Sequence, residues 1–160
     1  MATVRDILSD SRAVLIFDFD GVLAAYEYGE HNHNACKDAE WPEYCKTHNI
    51  YENARPLKVI QEYVGNIDSN RLFVCSQDGP YARAQKTRFV QKYYPQIPAN
   101  HIFLVETNEK KLDVLREIQR VEFPVLEDKY FVMVDDTIEV LTNIQENSGF
   151  STAHISSFLE

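Results

Sequence analysis

The chain has 160 residues, of which 44% are hydrophobic and 26% are charged, and these values suit one globular domain with a full core. Its net charge of −9 argues against a sequence-independent hold on nucleic acid or on an anionic membrane, because such contacts need clustered Lys and Arg side chains. Three cysteines are too few for a disulfide framework and are typical of a reducing, cytoplasmic compartment.

The amino-terminal residues 3–10 predict a short helix or turn that leads into the first strand. They contain no apolar segment of the kind found in signal peptides, and no later apolar run is long enough for a membrane-spanning helix. We therefore expect neither a signal peptide nor a membrane partner.

The first predicted strand carries the most informative residues of the chain. It is the apolar run 13–17, and it is followed at once by Asp18, Phe19, Asp20 and Gly21. Such a run is typical of a strand that is buried on both faces in a parallel sheet. Period-two geometry places the carboxylates of Asp18 and Asp20 on one side, where two like charges need a cation between them. An Asx-type turn would explain one of the two acids but not both.

A polar and aromatic stretch, residues 24–55, follows this strand. We predict a hairpin, a loop and a short helix here, forming a flap inside a single domain that spans residues 1–160, and its length favours a functional role. The flap contains five soft metal ligands, namely His31, His33, Cys36, Cys45 and His48. Their spacing does not match a paired Cys-x-x-Cys zinc site, so we favour ordinary packed or solvated side chains over a structural zinc ion.

The rest of the chain alternates helices and strands. Apolar periodicity and turn residues predict helices near 56–67, 80–94, 108–121 and 138–147, and strands near 71–75, 101–105, 130–134 and 151–155. Strands that alternate with helices imply right-handed crossovers. The predicted fold class is therefore α/β, a three-layer sandwich with a central parallel sheet.

Polar residues stand where the predicted strands end or where a helix begins, on one rim of the sheet, which is where α/β proteins bind ligands. There are plainer alternatives: Ser76 could only form a turn, and one of Asp135 and Asp136, which follow the fourth strand, could only cap the next helix. Either Lys110 or Lys111 could be the lysine of the site. We prefer Lys111 because Val114 and Leu115 then fall where the helix meets the core. The residues on this rim are Asp18, Asp20, Ser76, Lys110, Lys111, Asp135 and Asp136.

In type and order these residues resemble the four motifs of the haloacid dehalogenase superfamily of phosphohydrolases. The resemblance covers essentially the whole chain outside the flap, and Val22 stands at a position where the family often has Thr. It implies a Rossmann-like fold with a short flap or cap after the first strand, of the small-cap or capless type. The matching residues are Asp18 to Leu23 (DFDGVL), Ser76, Lys111, and the pair Asp135 and Asp136.

The resemblance implies a phosphatase that hydrolyses phosphomonoesters through an aspartyl-phosphate intermediate. Asp18 would be the nucleophile, because a carboxylate can split one difficult displacement into two easier ones. Asp20 would serve as general acid and then as general base. Ser76 would hydrogen-bond a phosphoryl oxygen, and Lys111 would neutralise charge on the phosphoryl group and on Asp18.

The resemblance also implies a Mg²⁺ cofactor, a cation that prefers oxygen ligands. Asp18 would supply one ligand, the backbone carbonyl of Asp20 another and Asp136 a third. Asp135 would order a water molecule or the lysine. Which acid of the pair binds the ion directly stays open between Asp135 and Asp136, with family geometry favouring the second.

The flap is too short for a large helical cap, and no second cap fits between Ser76 and Lys111, so we expect an open site. We expect it to be covered by Tyr26, Tyr28, Trp41 or neighbouring residues, or by another subunit of a homo-oligomer. The substrate class that the resemblance implies is a small-molecule or macromolecular phosphomonoester. The alternatives are a phosphotransferase or nucleotide-directed phosphatase with the same chemistry, and a non-catalytic module that binds a phospho-ligand or a partner protein.

Overall fold

The computed structural model describes residues 2–25, 40–49, 51–78 and 82–159. Its helices are α1 (Val4–Leu8), α2 (Trp41–Thr47), α3 (Lys58–Val64), α4 (Arg83–Tyr93), α5 (Lys111–Glu122) and α6 (Ile138–Asn147). Its strands are β1 (Val14–Phe17), β2 (Ala24–Ala25), β3 (Arg55–Pro56), β4 (Leu72–Gln77), β5 (Ile102–Val105), β6 (Phe131–Asp135) and β7 (Ser151–His154). Within these ranges no helix combines the length and the apolar character that a bilayer crossing needs.

Five strands form one parallel sheet in the order β5-β4-β1-β6-β7. Strand β1 is central, and Phe17 near its carboxyl end is in register with Val74 of β4 and Val134 of β6. The chain moves outward from β1 through β4 to β5, and then returns to the other side of β1 to form β6 and β7. The connections that leave β1 and β6 therefore diverge, which opens a crevice at the carboxyl ends of these two neighbouring strands.

Helices cover both faces of this sheet. Side chains alternate along β1, so that Leu15 and Phe17 join the core under α1, α3 and α4, while Val14 and Ile16 join the core under α5 and α6. All four are fully buried, as expected for a strand with an apolar layer on each side. The prediction of an α/β fold with a central parallel sheet flanked by helices is confirmed.

The two ends of the flap pair with each other. Strands β2 and β3 are antiparallel, with Ala24 opposite Pro56 and Ala25 opposite Arg55. The helix predicted from Pro56 consequently begins two residues later, at Lys58, because Pro56 belongs to the short strand. Proline lacks the N–H group that a central strand needs for pairing on both sides, and a strand of a two-stranded sheet, which is paired on one side only, tolerates it better.

Two further boundaries differ from the prediction in a way that concerns the site. Ser76 lies inside β4 rather than after it, because this strand continues to Gln77 in register with β5. Asp135 is the last residue of β6 and is in register with His154 of β7. Both polar side chains are thus fixed by strand pairing and not by a loop.

Candidate active site

The carboxyl ends of β1, β4 and β6 surround a cavity of about 370 Å³. Five of the residues predicted for the site line it: Asp18, Asp20, Ser76, Lys111 and Asp136. Asp135 lies beneath them and is fully buried. The other lining residues are Tyr51, Gln77, Asp78, Ala82, Lys86, Asn108 and Thr137.

Lys111 joins the acids of β1 and β6. Its Nζ lies 3.1 Å from Oδ1 of Asp18 and 2.8 Å from Oδ2 of Asp135, and all three side chains are buried. The neighbouring Lys110 instead points to solvent, where its Nζ pairs with Glu106 at 3.0 Å. Of the two lysines considered from the sequence, the structure therefore brings Lys111 to the acidic cluster.

The proton affinities of these groups follow from their burial and from the charges beside them. Burial raises the pKa of Asp18 to about 7, with the Asp135 carboxylate adding to the rise and Lys111 opposing it. Burial also acts to lower the pKa of Lys111, but the two carboxylates outweigh it and hold that pKa above its ordinary value. The ammonium of Lys111 is thus charged at neutral pH and compensates part of the negative charge of the cluster.

Asp136 completes a group of three carboxylates that fits a divalent cation. One carboxylate oxygen each from Asp18, Asp135 and Asp136 lies within 4.8 Å of the others. Both oxygens of Asp135 already accept hydrogen bonds, Oδ2 from Lys111 and Oδ1 from the backbone N–H of Thr137 at 3.0 Å. Asp136 is exposed to the cavity, and desolvation together with the Asp135 charge raises its pKa. Carboxylates crowded in this way are the oxygen ligands that Mg²⁺ prefers, so the donor set fits that ion.

If a divalent cation binds here, this geometry favours Asp136 over Asp135 as its direct ligand. The carboxyl group of Asp20 is not part of the three-acid group, and the ligand expected from this residue is its backbone carbonyl. That ligand stays a prediction.

Gly21 lets the chain after β1 pass close to Asp136. Its φ is +79°, in the region that side chains other than glycine rarely adopt, and its N–H donates to the carbonyl of Ala24 at 2.9 Å. A Cβ atom built at this position would lie 2.9 Å from Cγ of Asp136. Glycine here serves both the turn and the placing of the acid.

The substitution Gly21→Ala should therefore lower the free energy of unfolding by about 1–2 kcal/mol, since it combines strain at a positive φ with a clash. Gly65→Ala is the matched control, because Gly65 has a φ of −61° and an added Cβ would be 3.4 Å from its nearest neighbours. We expect this control to stay within about 0.5 kcal/mol of the wild type. Urea unfolding followed by circular dichroism measures both, and equal stabilities of the two variants would contradict the assignment.

Lys86, a buried lysine of α4, contacts both Asp20 and Ser76. Its Nζ lies 3.3 Å from Oδ2 of Asp20, 3.1 Å from Oγ of Ser76 and 2.9 Å from the backbone carbonyl of Gln77. The hydroxyl of Tyr51 donates to Oδ1 of Asp20 at 3.2 Å. The cavity therefore has two lysines with separate partners, Lys111 for the acids of β1 and β6 and Lys86 for Asp20 and Ser76.

Lys86 and Tyr51 were not predicted from the sequence. Lys86 occupies an inward position of α4, since Ala82, Lys86, Phe89 and Val90 are all buried at helical spacing. A lysine on the apolar side of an otherwise polar helix is a signal that could have identified it. Tyr51 belongs to the flap, whose sequence has no periodicity, and carries no comparable signal.

The His and Cys residues of the flap are only partly described. Several residues that were singled out in the flap lie outside the described part of the structure: His31, His33, Cys36, Tyr26 and Tyr28, and the side chains of Cys45 and Trp41. His48 is described and exposed, and its ring stacks on Tyr44 with the ring centres 4.1 Å apart.

No protein-family model matches this chain, and no curated protein matches it in sequence.

Proposed function

We propose that this protein is a phosphomonoester hydrolase of the haloacid dehalogenase superfamily that acts through an aspartyl-phosphate. The observation that carries the proposal is the arrangement around Asp18. This carboxyl group contacts the ammonium of Lys111, lies within reach of Asp136, and shares one cavity with Asp20 and Ser76. A nucleophile, a proton carrier, a fixed cation and an acidic metal-binding group are what phosphoryl transfer to a carboxylate requires.

In the first step a carboxylate oxygen of Asp18 attacks the phosphorus, and the bond between phosphorus and the leaving oxygen breaks. Asp20, which lines the same cavity, gives a proton to that oxygen so that an alcohol departs. Lys111 offsets the negative charge that gathers on Asp18 and on the phosphoryl oxygens. The hydroxyl of Ser76, fixed within β4, donates to one of these oxygens.

In the second step water attacks the phosphorus of the aspartyl-phosphate. Asp20, now a carboxylate, accepts a proton from this water, and the bond between the phosphorus and the Asp18 oxygen breaks. Inorganic phosphate leaves, and Asp18 and Asp20 return to their starting states. One residue acts as acid and then as base, so each cycle conserves its protons.

The residues that would hold Mg²⁺ are Asp18 and Asp136, with the backbone carbonyl of Asp20 as a further ligand and Asp135 orienting Lys111. When bound, Mg²⁺ supplies charge neutralisation between the anionic phosphoryl group and the carboxylates. This role agrees with the elevated pKa values of Asp18 and Asp136, since crowded and desolvated carboxylates gain from a nearby cation.

The test of this function is hydrolysis of p-nitrophenyl phosphate and of a panel of phosphomonoesters, with Mg²⁺ and with EDTA. We expect turnover that needs Mg²⁺ and returns when Mg²⁺ is added after EDTA. Circular dichroism under both conditions shows that the metal acts on turnover and not on folding. Absence of turnover on the whole panel in the presence of Mg²⁺ would favour the alternative, a module that binds a phospho-ligand without cleaving it.

A further inference from the structure

We propose that Lys86, together with Tyr51, is a positioning residue for phosphoryl transfer: the pair holds the carboxyl group of Asp20, and Lys86 also orients the hydroxyl of Ser76. This inference rests on the function proposed above and adds two residues to it. Neither residue belongs to the four motifs.

The first argument is the burial of a charge. Only 2% of the surface of Lys86 is exposed, and an ammonium group in such a place is costly unless polar partners surround it. Its three hydrogens have three acceptors within 3.3 Å, on Asp20, Ser76 and Gln77. Asp78 lies slightly further away, with 3.8 Å between Nζ and Oδ1. Helix α4 thus places the buried ammonium of Lys86 beside the cavity, although an apolar side chain would be enough to fill the core at this position.

The second argument concerns Asp20. One of its carboxylate oxygens contacts Lys86 and the other accepts from the hydroxyl of Tyr51 at 3.2 Å. Tyr51 is itself fixed, since its ring packs edge-on against Phe19 with 4.9 Å between the ring centres. Two donors on the two oxygens fix the plane of the carboxyl group. A proton carrier must lie within hydrogen-bond reach of the leaving oxygen, and a misplacement of about 1 Å can cost about 100-fold in rate.

The third argument concerns Ser76. A hydroxyl group has one proton to donate, and its oxygen can accept. Because Oγ of Ser76 accepts from Lys86, its own proton must point elsewhere, either to the carbonyl of Gln77 at 3.3 Å or into the cavity. Lys86 therefore keeps Oγ of Ser76 as the acceptor of its ammonium, so that the hydroxyl proton, which points to the carbonyl of Gln77, can turn to a phosphoryl oxygen when substrate is bound.

The test uses two substrates that differ in their need for a proton donor. The leaving group of p-nitrophenyl phosphate departs readily without one, whereas that of glycerol phosphate needs the proton from Asp20. We compare kcat/KM for Lys86→Met, for Tyr51→Phe and for the control Lys92→Met, which changes an exposed lysine of the same helix. Lys86→Met should lower kcat/KM about 100-fold for glycerol phosphate and about 10-fold for p-nitrophenyl phosphate. Tyr51→Phe should show the same preference with a smaller loss, and Lys92→Met should match the wild type.

A loss of equal size on both substrates, or no loss, in variants that fold would overturn the inference, because a purely structural role has no dependence on the leaving group. Far-UV circular dichroism and thermal melting establish folding. If Lys86→Met does not fold, Tyr51→Phe decides the matter by the same comparison. Failure of the inference differs visibly from failure of the function: in the first case the wild type hydrolyses phosphomonoesters and the variants lack the preference, and in the second the wild type hydrolyses none and both proposals fall.

Discussion

Asp18→Asn should abolish the Mg²⁺-dependent hydrolysis of p-nitrophenyl phosphate, with a loss of about 10⁴-fold or more in kcat, as expected when a covalent nucleophile is removed. Asparagine keeps the size of the side chain and can still accept the hydrogen bond from Lys111, which now lies 3.1 Å from Oδ1 of Asp18. The fold should therefore persist. The amide has no carboxylate oxygen to attack phosphorus, so the first chemical step has no nucleophile.

The decisive measurement is the capture of the phosphorylated protein. Acid quenching of the wild type during turnover of labelled substrate should leave label on the chain, hydroxylamine should release it, and peptide mapping should place it on Asp18. Asp18→Asn should carry none. The control is Asp113→Asn, which changes an exposed acid of α5 and should behave as the wild type does. Label that persists in Asp18→Asn, or turnover equal to the wild type, would exclude Asp18 as the nucleophile.

What could be predicted from the sequence was local in origin. The run before Asp18 is apolar at every position, and that pattern arises because β1 packs on both faces. The choice of Lys111 followed from the helical period, which sets the inward direction of α5, and Leu115 on the same helix is fully buried. Both features produce a pattern of apolar residues close by in the sequence, and that pattern can be recognised without knowing the fold.

What could not be predicted depends on contacts between distant segments. The pairing of Ala24 with Pro56 involves strands of two residues each, too short to leave a periodic pattern. The difference between Asp135 and Asp136 is one of direction, because Asp135 ends β6 facing a buried lysine while Asp136 faces the cavity. Adjacent acids look alike in a sequence. The contact of Lys86 with Asp20 likewise exists only once α4 packs beside β1.

The largest effect on stability should come from Lys111→Met. The change removes the only ammonium group that Asp135 contacts among the described residues, and it leaves the carboxyl groups of Asp18 and Asp135 buried beside each other. Removal of one partner from a buried ion pair costs about 3–5 kcal/mol, because the negative charge left on the carboxylates loses its counterion. We expect a loss of this size in the free energy of unfolding at neutral pH. Turnover should also fall about 100-fold or more, since a fixed cation no longer stabilises the phosphoryl charge.

Lys110→Met is a closely matched control, because it makes the same change one residue earlier in the chain. Lys110 lies on the surface and, in the part of the chain that the structure describes, pairs with the exposed Glu106, a solvent-screened contact that contributes little to stability. Urea unfolding of both variants in EDTA, together with turnover in Mg²⁺ below the melting temperature, separates the two lysines. If Lys110→Met proved the more damaging change in either measurement, the assignment of the site lysine would be wrong. If Lys111→Met lost stability but kept its turnover, Lys111 would hold the acids in place without taking part in phosphoryl transfer.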